Sequence, residues 1–168
     1  NIFVKIVSLL GAKCFSIHDA KIISSKTSFT ANTFVILDQQ GNPIDDKYRA
    51  LALAESLTNV LKSSDSDIKF QPMSTRLKQF HVPTQVTFIE TKSKKNTLLE
   101  ITSLDRPGLL AQFANVFQEC KLHIHSAKIT TFGEKVEDMF IVSTHEEKAL
   151  TSEEKEILST KLCDDTAL

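Results

Sequence analysis

The sequence has no tryptophan, one tyrosine and only three cysteines among 168 residues. So few cysteines, and an odd number, do not form a disulfide framework, and they predict a protein of the reducing cytoplasm. Neither positive nor negative charge is in excess, because the chain has 20 Lys and Arg and 21 Asp and Glu. A chain without a basic field is not expected to bind nucleic acid or an anionic membrane. The longest apolar run, residues 50–54, is too short to cross a bilayer.

A sequence repeat organises what is present. The letters IHDAKI at residues 17–22 return as IHSAKI at residues 124–129, an offset of 107 residues. TFVI at residues 33–36 likewise matches MFIV at residues 139–142 after a slip of one residue. Repeats of this kind mark copies of one structural unit, so we predict two copies joined by a spacer.

Hydrophobic periodicity gives the unit its elements. The second copy predicts a strand, a helix, two strands joined by a tight turn, and a helix, at residues 97–104, 109–117, 122–131, 136–143 and from 152. The first copy predicts a helix, two strands, a helix and a strand, at residues 2–10, 15–24, 29–37, 47–61 and 85–90. Superposed, the copies give β-α-β-β-α-β, the ferredoxin-like α+β unit with antiparallel sheets and helices on one face.

The repeat also predicts the domains. We assign residues 1–91 to the first unit, including a linker at 65–80 and its last strand at 82–91, and residues 92–168 to the second. The counterpart of strand 97–104 would precede Asn1, so the first unit lacks its first strand here. That strand is central in this topology, and its absence would leave unpaired backbone within the sheet. We therefore expect the natural chain to continue upstream.

The turn Asp105-Arg106-Pro107-Gly108 is the most informative candidate site, because it leads from a strand into a helix. The first amides of a helix lack internal partners and can bind a carboxylate. Gly108 lets a ligand approach the backbone, and Asp105 can accept hydrogen bonds from an ammonium group. Together they suit an amino-acid zwitterion. The alternative is that Asp105 is only the N-cap and Pro107 an early helix residue.

Other polar residues carry weaker signals. His123 and His125 project to one face of a strand, but two ligands without carboxylate or thiolate neighbours make a poor metal site, and we predict none. His18-Asp19 and Asp65-Ser66-Asp67 spell motifs of hydrolases and nucleotidyltransferases without their structural context. For Glu137-Asp138, a role at a domain interface and an exposed strand edge stay equally open.

The motifs LDRPGLL at residues 104–110, IHSAKITTFGE at 124–134 and VEDMFIV at 136–142 resemble an ACT domain. More closely, the two copies resemble the tandem C-terminal ACT domains of the enzymes that uridylylate and deuridylylate the PII nitrogen-signalling protein. The resemblance implies a regulatory pair that senses L-glutamine. It implies ligand contacts, on the second copy Asp105, Pro107, Gly108, Leu109, Leu110 and His125, and on the first copy Asn1, Ile2 and His18.

The same resemblance implies upstream catalytic domains that use Mg²⁺ and act on PII, whereas this part of the chain needs no cofactor. It contains no nucleophile–base pair, P-loop or metal cluster in its sequence, so we predict that it is regulatory and not itself an enzyme. Two alternatives stay open: a scaffold pair that binds no ligand, or the ACT module of another amino-acid-regulated enzyme. A homodimer is also left open. An RNA-binding ferredoxin-like protein is disfavoured because the aromatic RNP signature is missing.

Overall fold

A computed structural model describes residues 2–24, 29–63, 83–106, 108–132 and 134–166. The predicted linker and Asp65-Ser66-Asp67 lie outside these residues. In chain order, the elements are α1 (Ile2–Ala12), β1 (Ser16–Ser24), β2 (Thr30–Leu37), α2 (Lys47–Lys62), β3 (Gln85–Ile89), β4 (Thr97–Leu104), α3 (Leu109–Glu119), β5 (His123–Lys128), β6 (Thr131–Phe132), β7 (Lys135–Ser143) and α4 (Ser152–Thr166).

The strands form one antiparallel sheet in the order β2-β1-β5-β7-β4-β3, with the short β6 paired to β7. Equivalent strands of the two copies, β1 and β5, meet at the seam, and Lys21 lies opposite its own repeat counterpart Lys128. The two copies therefore share one sheet around an approximate twofold axis. This confirms the predicted α+β class with ferredoxin-like units.

The repeat is also visible in the ends of α1 and α3. Cys14 and Lys121, 107 residues apart, both have positive φ angles, of 58° and 54°. The next amide then bonds back five residues in each copy, from Phe15 to Leu10 at 2.9 Å and from Leu122 to Phe117 at 2.8 Å. This is the Schellman ending, which satisfies otherwise free carbonyl groups of the last turn. Both copies thus turn from helix to strand by the same backbone geometry.

Among the described residues, the larger of two hydrophobic clusters runs beneath both copies. It joins Phe3, Val4 and Val7 of α1 to the apolar face of α3 and to alternate residues of β4 and β7. At its centre, the rings of Phe117 and Phe140 meet edge to face, with centroids 4.9 Å apart. Because α1 packs on α3 as well as on its own strands, the units are held together by burial of apolar surface and by the sheet.

Strand β3, which the predicted division places in the first unit, pairs along its whole length with β4 of the second copy. Side chains reinforce this edge: the hydroxyls of Thr84 and Ser103 lie 2.9 Å apart, and the Cys163 thiol donates to the Thr84 carbonyl at 3.3 Å. β3 therefore occupies the sheet position that the last strand of the second unit would take. The division between residues 91 and 92 stays a prediction.

Some predicted details differ from the structure. The strand predicted at 122–131 stops at Lys128, because both backbone groups of Thr130 bond to β7 in another way. The Thr130 amide donates to the Asp138 side chain, and the Thr130 carbonyl accepts from the Glu137 amide. The apolar residues of the last helix also predict that Ile157 faces inward with Leu158 and Leu162, yet Ile157 is 49% exposed. Leu158 and Leu162, one helical turn apart, bury the inner stripe of α4, and Ile157 lies to its side. In the described part of the chain, no helix has the length and apolarity to span a membrane.

The seam generates a prediction about stability. Like charges directly opposite each other destabilise a strand pair, so Lys21→Glu should raise the free energy of unfolding by about 0.5 kcal/mol. The gain should appear in urea unfolding at low ionic strength and shrink in 1 M salt. The double variant with Lys128→Glu should return to the stability of the wild type. A Lys21→Glu variant no more stable than wild type at low salt would contradict the β1–β5 register.

Candidate functional site

Helix α3 begins without a capping side chain. Its N-cap is Gly108, whose φ of 82° lies in the left-handed region that favours glycine, and among the described residues no side-chain hydrogen bond caps the helix. The alternative that Asp105 is the N-cap is therefore wrong. Its amide instead bonds to the Glu134 carbonyl at 2.8 Å, which ties the end of β4 to the start of β7. The Leu109 amide closes the turn by donating to the Arg106 carbonyl at 3.1 Å. The other amides of the first turn of α3 have no partner within the helix and can meet an anion.

A cavity of about 380 Å³ opens beside this helix start. The second copy contributes its turn and the wall of β7, through Asp105, Gly108, Leu109, Leu110 and Asp138. The first copy contributes the end of α1 and two loops, through Gly11, Phe15, Asp38 and Gln39. The volume is in the usual range for small-ligand sites. The cavity therefore exists only because the two copies pack against each other.

The close approach of two glycines sets the shape of the cavity. A Cβ added to Gly11, near the end of α1, would lie 3.7 Å from the Cα of Gly108. The end of one helix thus reaches the start of the other with no side chain between them. This contact places polar groups of the first copy across from the amides of α3.

Asp105 is held in a mixed electrostatic environment. Burial raises the pKa of its carboxyl group, whereas a hydrogen bond from the Arg106 amide and the positive charge of His18 lower it. The Arg106 guanidinium donates to the Gln112 side chain at 2.7 Å. His18 lies at a bulge of β1, so the first copy brings a titratable group near the turn of the second. The site can therefore accept a cation at Asp105.

Asp138 is the unexpected member of the site. Its residue is 2% exposed, and its Oδ1 accepts the Thr130 amide at 3.2 Å. Burial raises the pKa of this carboxyl group to about 7; the hydrogen bond opposes the shift and the nearby Asp105 charge adds to it. Of the two readings of Glu137-Asp138, the exposed edge is excluded for Asp138, because β7 is an interior strand. Alternation along β7 places Asp138 with buried Val136 and Phe140, which is the signal the sequence offered.

The predicted ligand residues divide into three groups. Asp105, Gly108, Leu109 and Leu110 line the cavity, and His18 lies near Asp105. Pro107 and Asn1 lie outside the described residues. Ile2 and His125, both described, do not line the cavity. The contribution of all these residues to binding stays a prediction.

The described histidines other than His18 lie elsewhere, in the second copy. The His125 ring nitrogen Nε2 is 2.7 Å from the Ser143 hydroxyl, and burial lowers the pKa of His125. His123 Nε2 lies 2.9 Å from His145 Nδ1 on an exposed surface. Within the residues that the structure describes, no group of three or more His, Cys, Asp or Glu side chains is placed to hold a metal ion.

Comparison with known proteins identifies the class. Residues 88–160 match the ACT-like domain of plant bHLH transcription factors. Over 162 residues, or 96% of its length, the chain is 41% identical to the bifunctional uridylyltransferase/uridylyl-removing enzyme of Vibrio atlanticus. Identity is 40% over 167 residues, or 99% of the chain, with the enzyme of the same name from Vibrio cholerae. It is again 40% over 163 residues, or 96% of the chain, with that of Pasteurella multocida.

The repeat, the fold and these matches define the chain as a pair of ACT-like units. More particularly, it is a homologue of the bifunctional uridylyltransferase/uridylyl-removing enzymes over one segment of their length. The chain spans 18% of the Vibrio atlanticus relative and 19% of the other two.

Asp138 makes stability depend on pH. The carboxyl titrates near 4 when unfolded and at about 7 when folded, so between these values the folded protein holds an extra proton. The free energy of unfolding should therefore fall as pH rises through this window, by about 3 kcal/mol between pH 5 and 8. The Asp138→Asn variant keeps an acceptor for the Thr130 amide. Its free energy of unfolding, measured with urea, should not show this fall between pH 5 and 8. An equal fall in variant and wild type would exclude Asp138 as its source.

Proposed function

We propose that this pair of units binds a free amino acid, L-glutamine, in the cavity between the two copies and acts as a regulatory sensor. The observation that carries the proposal is the cavity itself. An uncapped helix start and a carboxyl group line the same space, and the other copy closes it. These are the complementary groups for the two charges of a zwitterion.

The ligand is expected to lie with its carboxylate on the amides of Gly108 and Leu110. Its ammonium group then meets Asp105, as a charge-assisted hydrogen bond that is stronger than a neutral one. The side-chain amide points to the first copy, where Gln39 supplies both a donor and an acceptor. The preference for glutamine over other amino acids comes from the family resemblance.

The consequence of binding is a change in how the copies pack. A ligand that touches both walls favours the arrangement that brings them together, and it shifts the equilibrium by its difference in affinity for the two states, typically ~1–3 kcal/mol. In the relatives, this segment belongs to enzymes named for uridylyl transfer and removal. We propose that occupancy biases catalytic domains elsewhere in the chain between uridylylating and deuridylylating the PII protein.

Calorimetric titration with L-glutamine and L-glutamate tests the proposal. Wild type should bind glutamine selectively, and Asp105→Asn should weaken binding by at least tenfold, because a hydrogen bond to a charged group contributes about 1.5–3 kcal/mol. Asp164→Asn, the same change at an exposed position of α4, should bind as wild type does. Circular dichroism should show both variants folded.

Two outcomes would contradict the proposal. Unchanged glutamine affinity in Asp105→Asn would show that the ligand binds elsewhere. No heat from wild type, with a folded chain, would favour the alternative of a pair that acts as a scaffold.

A further inference from the structure

The proposed contacts to the ligand do not use Asp138, yet this residue lines the same cavity as Asp105. A carboxyl group that is 2% exposed is costly to ionise unless a cation or several donors meet it. The Thr130 amide fixes Oδ1 in place at 3.2 Å. A carboxyl group held in the wall of a binding cavity can discriminate between ligands by their charge.

The charges around Asp138 come from several elements. Asp105 follows β4 and adds negative charge, while Asp38 lies across the cavity on the first copy and accepts the amides of Gln40 and Asn42 at 2.9 Å. The basic groups are Arg106, which bonds to Gln112, and His18, whose charge acts on Asp105. The carboxyl groups therefore outnumber the basic groups on the cavity, and this favours entry of a cation.

An ammonium group has three donors, more than the single Asp105 carboxylate would satisfy in a desolvated site. We propose that Asp138 is a specificity-determining residue that accepts the ligand's ammonium group beside Asp105 and releases its own proton to solvent as the ligand binds. The inference rests on the proposed function and deepens it: amino-acid binding becomes coupled to pH. Ligands that lack a protonated amine, such as 2-oxo acids, gain nothing from this ionisation and are rejected.

Titration of wild type with L-glutamine at pH 6 and pH 8 tests the coupling. Since the pKa of Asp138 in the unliganded protein is about 7, the affinity should rise about tenfold over this range. At pH 7, titration in phosphate and in Tris, buffers of different ionisation enthalpy, should give different heats that correspond to about half a proton released. Asp138→Asn should bind more weakly at pH 8 and lose both effects.

Asp164→Asn, the same change at an exposed position of α4, is the control. This variant should keep the proton release. Loss of the release in Asp164→Asn, or its persistence in Asp138→Asn, would overturn the proposal. So would glutamine binding by wild type with no dependence on pH or buffer, a result that needs no variant to fold. Absence of glutamine binding at either pH would instead contradict the proposed function.

Discussion

The antiparallel pairing of β1 with β5 is the constraint on which the rest of the structure depends. It joins equivalent strands of the two copies at Lys21 and Lys128, and it extends each short sheet into one continuous sheet. With the strands fixed, α1 and α3 must lie side by side and share a core. The end of one helix then faces the start of the other, and the cavity lies where they meet.

The polar groups of this cavity lower the free energy of unfolding, but they provide the contacts that a ligand needs. Helix α3 begins at Gly108, whose left-handed φ of 82° disfavours the residues that cap a helix with a side chain, so the helix start lacks that stabilisation. Asp138 keeps a carboxyl group in a buried wall where an apolar residue would pack at lower cost. Strain and buried charge tend to concentrate at functional sites, so both features support a ligand site.

Local patterns predicted much of this structure, and long-range pairing explains what they missed. The repeat located the equivalent elements correctly. Cys14 and Lys121, which it places at equivalent positions, both have left-handed backbone geometry. The turn at Asp105 was recognisable because strand-to-helix turns have local signatures. Gly11 and Gln39 were not predictable as its neighbours, because only the β1–β5 seam brings them there. The place of β3 beside β4 was hidden for the same reason: strand partners are chosen by the whole sheet.

A crystal structure of this chain grown with saturating L-glutamine would test the central claim most directly. The account predicts glutamine in the cavity, its carboxylate within hydrogen-bond distance of the amides of Gly108 and Leu110 and its ammonium group on Asp105. Groups of the first copy should contact the ligand as well. An empty cavity at saturation, or glutamine bound on a surface formed by one copy alone, would contradict it.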